Sequence, residues 1–377
     1  RTLRNPHFVL FLGTGTRCQG PFHLFSPTPT KGICMKTMKH TLALALLSAS
    51  LSTPFFTAPA LAATPAPAVA ARTTFDGQIR NNSLSISPDE SMAVVSYSER
   101  SEVVVYDLRS CTVRGTLSDF VTPRNIDFAP DGESFYVSDS SRGEVVRIDA
   151  RSLKPVKRLA AGPGAFGTVL SKDGQSLFVN NQANSTVTRF NTSNGIASAV
   201  ITGFAQPRQG VRLSPDGLTL YVTNFLGDKV TVVDTQSNKV VGEITGFNKI
   251  RAISVSADGK TLFAANSGSN SVAVVDIAQR AITATVSVGN DPYGAALSPD
   301  GRFVYSGNLA DNSVSVIEVA TLKVVSTITG FKQPRQAIVF TRDNRLAYVL
   351  NEDLSIAKVD RGSQQVIATI GGKAATQ

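Results

Sequence analysis

Arginine recurs at one spacing in this chain. Arg124, Arg208, Arg251 and Arg335 each stand seven or eight residues before the aspartate of a recurring tight-turn motif. They lie in Val121-Thr122-Pro123-Arg124, Gln206-Pro207-Arg208-Gln209, Lys249-Ile250-Arg251 and Gln333-Pro334-Arg335-Gln336, and Tyr293 belongs to the segment that follows Arg251's. A guanidinium presents a rigid fork of donors matched to carboxylates and phosphates. Several brought to one opening would hold an anionic ligand. A phenylalanine precedes three of the arginines, in Ile201-Thr202-Gly203-Phe204, Thr245-Gly246-Phe247 and Ile328-Thr329-Gly330-Phe331. Basic groups interleaved with aromatics suit a single-stranded nucleic acid, whose backbone pairs with cations while its bases stack. The competing reading makes each arginine a strut between neighbouring structural units and each phenylalanine a wedge in the core between them.

Composition removes most other chemistry. All three histidines (His7, His23, His40) and two of the three cysteines (Cys18, Cys34) fall in the first 62 residues, and the chain has no tryptophan. Beyond residue 62 there remains one cysteine, Cys111, which reads as a small packing residue. Nucleophilic triads, zinc hydrolysis and haem attachment need His or clustered Cys. No catalytic residue, metal ligand or cofactor is therefore assigned, and a non-enzymatic binding protein is the expectation, with carboxylate or arginine chemistry left open. The formal charge of +9 is also uneven: the first 62 residues hold six Lys or Arg and no acid, and the remainder carries 31 basic and 28 acidic residues, or +3. A net +3 is a weak footprint for nucleic acid.

The elements that must position the arginines follow from a repeat. The turn motif recurs seven times, as Ser87-Pro88-Asp89-Glu90, Ala129-Pro130-Asp131-Gly132, Ser171-Lys172-Asp173-Gly174, Ser214-Pro215-Asp216-Gly217, Ser256-Ala257-Asp258-Gly259, Ser298-Pro299-Asp300-Gly301 and Thr341-Arg342-Asp343-Asn344. The aspartates are 42 or 43 residues apart. Proline presets φ, aspartate bonds its neighbouring backbone and glycine or asparagine tolerates positive φ, so each motif predicts a hairpin turn. A strand-like tetrad such as Tyr221-Val222-Thr223-Asn224 follows each turn, then a run such as Val230-Thr231-Val232-Val233-Asp234, then an outer run such as 239–244. Four short strands per period predict an all-β, seven-bladed β-propeller with four antiparallel strands per blade over residues 75–372. Asn181, Asn224, Asn266, Asn308 and Asn351 end the tetrads on the arginine face and are secondary candidates for ligand contact, with loop-backbone bonding the favoured role. Asp107, Asp149, Asp234, Asp276 and Asp360 end the third strands on the opposite face as turn formers.

The segment before the repeats reads as an address. Residues 35–62 combine Met-Lys-Thr-Met-Lys-His, an apolar run and Ala60-Leu61-Ala62, the pattern of a signal peptide cleaved near Ala62. Residues 1–34 then read as an upstream extension, 63–74 as an Ala/Pro linker and 373–377 as a tail. A periplasmic or secreted protein without a membrane span is expected, and an envelope protein is a further candidate partner.

The blade Ser214-Pro215-Asp216-Gly217 with Tyr221-Val222-Thr223-Asn224 resembles the YVTN-repeat propeller family, and the leader plus seven blades is similar to its periplasmic YncE-like members. The resemblance covers residues 75–372. It implies the propeller fold and, from the best-studied periplasmic type, an association with DNA. Related propellers include surface-layer domains and lactonases, so a lactonase-like hydrolase and an envelope scaffold are the alternatives it implies. Propeller lactonases rely on a His as well as Arg and Glu, and the blades here contain no His.

Overall fold

The computed structural model describes residues 80–371. The expected extension, leader, linker and tail lie outside the described residues, as do the outermost positions of the expected propeller, 75–79 and 372. Among the described residues there are twenty-eight strands and no helix, arranged as seven sheets of four consecutive strands each. All pairings are antiparallel, as the repeat requires.

One turn shows why the motif recurs. Ser256 Oγ donates to Asp258 Oδ1 at 2.6 Å, the same oxygen accepts the Lys260 N–H at 3.1 Å, and the Thr261 N–H returns to Ser256 Oγ at 2.9 Å. Gly259 closes the turn at φ +70°, a conformation that costs glycine little. The first copy puts Glu90 in that place at φ 57°. Its carboxylate accepts the Arg342 N–H at 2.7 Å, a bond from the first blade to the last. Five of the seven third strands end in an aspartate, and two show similar work: Asp234 Oδ1 takes the Ser237 N–H at 2.7 Å and Asp360 Oδ1 the Ser363 N–H at 2.7 Å.

Burial falls from the second strand outward. Thr219–Asn224 is buried at every position but the first, because neighbouring blades cover both its faces, whereas Lys239–Ile244 alternates exposed and covered residues on the rim. Apolar clusters fill the seven junctions between blades, and the one between the last and first blades joins Leu84, Val95 and Tyr106 to Tyr348 and Ile356. Tyr106 Oη donates to the Leu354 carbonyl at 2.7 Å across that closure. Phe204, Phe247 and Phe331 lie buried in three of the junctions, so the phenylalanines are wedges and not a stacking platform. Cys111 packs partly buried against the closing cluster.

The innermost strands are β1 (Asn82–Ile86), β5 (Pro123–Phe128), β9 (Ala165–Leu170), β13 (Pro207–Leu213), β17 (Ile250–Val255), β21 (Ala296–Leu297) and β25 (Ile338–Phe340). They enclose an axial channel. In β5, β13 and β17 the ladder to the second strand is interrupted just after the first residue, between Pro123 and Ile126, Pro207 and Val211, and Ile250 and Ile253. Such irregularities re-aim a side chain. Arg124, Arg208 and Arg251 all lie within them. Gly210 lets β13 approach its neighbours: a Cβ there would meet Thr223 Oγ1 at 2.6 Å and the Arg251 carbonyl at 2.7 Å.

Candidate functional site

The channel encloses about 340 Å³ of space, and its lining runs from Arg208, Arg251 and Tyr293 at one end to Asp127 and Arg212 at the other. The expected cluster of four arginines divides on burial and partners. Arg124 is fully buried; its Nε donates to Ser140 Oγ at 2.8 Å, its Nη1 to Asn81 Oδ1 at 2.5 Å, and its guanidinium lies 4.4 Å from the Phe166 ring centroid. It bridges three blades and does not line the channel. Arg335 is 3% exposed, 4.8 Å from the Tyr293 centroid and 5.8 Å from that of Tyr97. Its Nε and Nη1 find no acceptor among the described residues.

The other two arginines line the channel. Arg208 lies over Phe225 at 4.7 Å and its guanidinium has no ion pair or hydrogen bond among the described residues. Burial, and then the neighbouring charge of Arg251, lower its pKa to about 9, against smaller support from Tyr293 and Asp228. Arg251 stacks on Tyr293 at 4.4 Å and donates from Nε to Ser267 Oγ at 2.8 Å. Tyr293 stands seven residues before Asp300, so it takes in the sixth blade the repeat position that arginine holds in the second and fifth. Aromatic faces, rather than carboxylates, hold these cations. A ring quadrupole orients a guanidinium without neutralising it.

The asparagines are placed differently. Asn181 Nδ2 donates to the Ala161 carbonyl at 2.6 Å, Asn224 Oδ1 accepts the Ala205 N–H at 2.8 Å, and Asn266 Oδ1 accepts the Asn248 N–H at 3.4 Å. Asn308 Nδ2 reaches Ser313 and Ser315 at 3.0 and 2.9 Å, and Asn351 Oδ1 accepts the Lys332 N–H at 2.9 Å. All five are buried; four secure the loops that lead into their blades, Asn308 bonds to the third strand of its own, and none lines the channel. Asp139 fills the same role in the second blade, accepting the Val121 N–H at 2.7 Å.

Below the arginines a belt of amides crosses the channel. Gln336 Nε2 donates to Gln209 Oε1 and to the Asn82 carbonyl, both at 2.7 Å, and Gln209 Nε2 donates to the Asn82 carbonyl at 3.0 Å and Asn125 Oδ1 at 3.2 Å. These bonds join the first, second, fourth and seventh blades. Asn125 Nδ2 in turn reaches Thr168 Oγ1 at 2.9 Å and Asp127 Oδ2 at 3.3 Å, and Thr168 Oγ1 also donates to Asp127 Oδ2. Asp127 is enclosed by protein yet open to the lumen, and desolvation pushes its pKa up to about 6. Arg212 is exposed to the lumen; the surrounding protein lowers its pKa, against support from the Asp127 charge.

Sequence reasoning passed over Asp127 and Arg212, although the repeat marks them. Both stand four residues before a turn aspartate, where the other blades carry Ser85, Val169, Ser254, Ala296 and Val339. Two charges of opposite sign at an otherwise small or apolar repeat position are the signal.

Seven four-stranded blades around an axial channel define a seven-bladed β-propeller. A family model described as "Lactonase, 7-bladed beta-propeller" matches residues 234–334, from the end of the fourth blade's third strand to the loop before the last blade. Among solved structures, Kuenenia stuttgartiensis hydrazine synthase is similar at 20% identity with a TM-score of 0.68, over 74% of this chain and 94% of that chain. At that identity the likeness is one of fold. No curated protein matches the chain.

Proposed function

We propose that this propeller is a non-enzymatic binding protein that takes an anionic ligand into the axial channel at Arg208, Arg251 and Tyr293. One observation carries the reading: the Arg208 guanidinium lines the channel, 8% exposed overall and beside a second arginine, with no carboxylate partner among the described residues. Burying a cation without a counter-charge is costly unless an anion uses it. A cavity of about 340 Å³ suits a small acid or phosphate ester, and single-stranded DNA would enter by one phosphate or one terminal nucleotide. We place the protein in the periplasm or outside the cell on the strength of residues 35–62, with an envelope protein as a further partner.

Calorimetric titration of the full chain with inorganic phosphate and with citrate tests the reading, beside anisotropy of a labelled single-stranded oligonucleotide at low and physiological salt. Saturable binding that is lost in Arg208→Ala/Arg251→Ala is expected. Absence of binding for all three probes at low salt removes it. A lactonase-like hydrolase is the second reading, favoured by the family match over 234–334. Saturable lactone hydrolysis by the purified chain would establish it in place of simple binding.

A further inference from the structure

At the far end of the channel, Asp127 is a carboxylate with one oxygen committed and one open. Oδ2 accepts from Thr168 Oγ1 and Asn125 Nδ2, and Asn125 is itself held by Gln209. Oδ1 accepts no hydrogen bond among the described residues, in a residue that lines the lumen. A carboxylate locked from behind by a supported network is oriented in advance for whatever approaches its free side. Arg212 lines the same space from the fourth blade, at the same repeat position. Its Nη1 donates to the Val211 carbonyl at 2.8 Å, and its remaining donors have no partner among the described residues. The two side chains influence each other's ionisation yet form no direct ion pair, so the lumen separates an open acceptor from open donors.

A cation entering that gap would gain from Asp127 and be repelled by Arg212, and an anion would meet the reverse. A group that offers one donor and one acceptor without net charge satisfies both. We propose that Asp127 and Arg212 form a second subsite in the channel, which takes a neutral donor–acceptor group, a carboxamide or its hydroxyl equivalent, on a small ligand. The proposal rests on the anion reading above only for the ligand's other end, held by Arg208 and Arg251. It names the ligand class as a small acid with an uncharged polar terminus. A mismatched partner here would leave the desolvated Asp127 carboxylate unpaired, so this subsite sets specificity more than affinity.

The test uses two probes on the full chain. Acetamide, which carries the donor–acceptor group and no charge, is titrated while the side-chain amide signals of Asn125 and Gln209 are followed by NMR. Saturable shifts are expected, weakened about tenfold in Asp127→Asn, the equivalent of one lost hydrogen bond to a charged group. The unfolding midpoint of the variant shows that it remains folded. Signals that do not move, or that saturate equally in the variant, overturn the subsite whatever happens at the arginines. Adipic acid monoamide is then compared with adipate. A preference of about tenfold for the monoamide that disappears in Asp127→Asn supports the proposal, and equal binding of the two acids overturns it. If acetamide saturates and neither acid binds, the subsite stands and the anion reading falls.

Discussion

The guanidinium of Arg251 lies 4.4 Å from the ring centroid of Tyr293, and the same ring carries Arg335 at 4.8 Å. Three successive blades are thereby joined through one aromatic side chain. Phe166 holds Arg124 and Phe225 holds Arg208 in the same way. A set of cations gathered around one axis is thus positioned by rings that leave its charge intact, and the difference between strut and ligand group lies in which guanidiniums reach the lumen.

Arg124 and Arg335 are expected to respond oppositely to an apolar replacement of similar length. Arg124→Met strands the acceptors of Asn81 and Ser140 and costs about 2–4 kcal/mol. Arg335→Met removes two unsatisfied buried donors and changes stability by less than about 1 kcal/mol in either direction. Urea unfolding of the two variants measures both. Equal losses would show that Arg335 is as firmly bonded as Arg124.

Arg208→Ala/Arg251→Ala is expected to keep the wild-type unfolding midpoint to within about 1 kcal/mol, because removing two adjacent desolvated like charges offsets the lost cation–π contacts. Anion binding should fall about a hundredfold or more, the loss of two charge-assisted contacts. A collapse of the thermal transition would instead make both residues struts.

Asp127 introduces a pH dependence of definite sign. Its folded pKa is raised to about 6 from 3.8, so between those values the folded chain holds a proton that the unfolded chain has released. Its contribution therefore stabilises as pH falls from about 6 to 3.8, and above pH 6 the buried charge costs at most about 3 kcal/mol. Asp127→Asn should raise the unfolding midpoint at pH 8 and leave it unchanged at pH 4. Thermal melts across that range test it, and parallel curves for the two proteins would show that burial does not tax this carboxylate.

The turn aspartates act in the opposite direction at lower pH. The Ser87 hydroxyl holds Asp89 down to about 2, and the matching hydroxyls lower Asp173, Asp216, Asp258 and Asp343. A depressed pKa stabilises above the unfolded value of 3.8 and is lost as pH falls towards 2. Alanine at Ser87, Ser171, Ser214 and Ser256 together should lower stability at pH 7 and flatten its decline below pH 4. An unchanged acid slope would place that decline in other carboxylates.

Much of the architecture was legible before any coordinates. Turn chemistry at a constant interval is local: Ser256, Asp258 and Gly259 bond within six residues, so their spacing alone specifies hairpin, strand count and blade number. The same locality made Asn224 and Asn351 readable as loop fasteners, and the glycine–phenylalanine pairs as wedges. The repeat also placed the arginines at one level of the ring, since equal sequence positions in equal blades lie at equal heights. What it could not assign is the direction in which each guanidinium leaves its strand. That depends on the irregular ladders at Pro123, Pro207 and Ile250, and on which aromatic the neighbouring blade supplies. Arg124 thus became a buried bridge and Arg208 a lumen group from nearly identical local sequence. Asp127 and Arg212, 85 residues apart, share one lumen only because the ring brings the second and fourth blades to a common axis. Local bonding sets the blades, and closure of the ring sets the desolvation and the partners on which any chemistry in the channel depends.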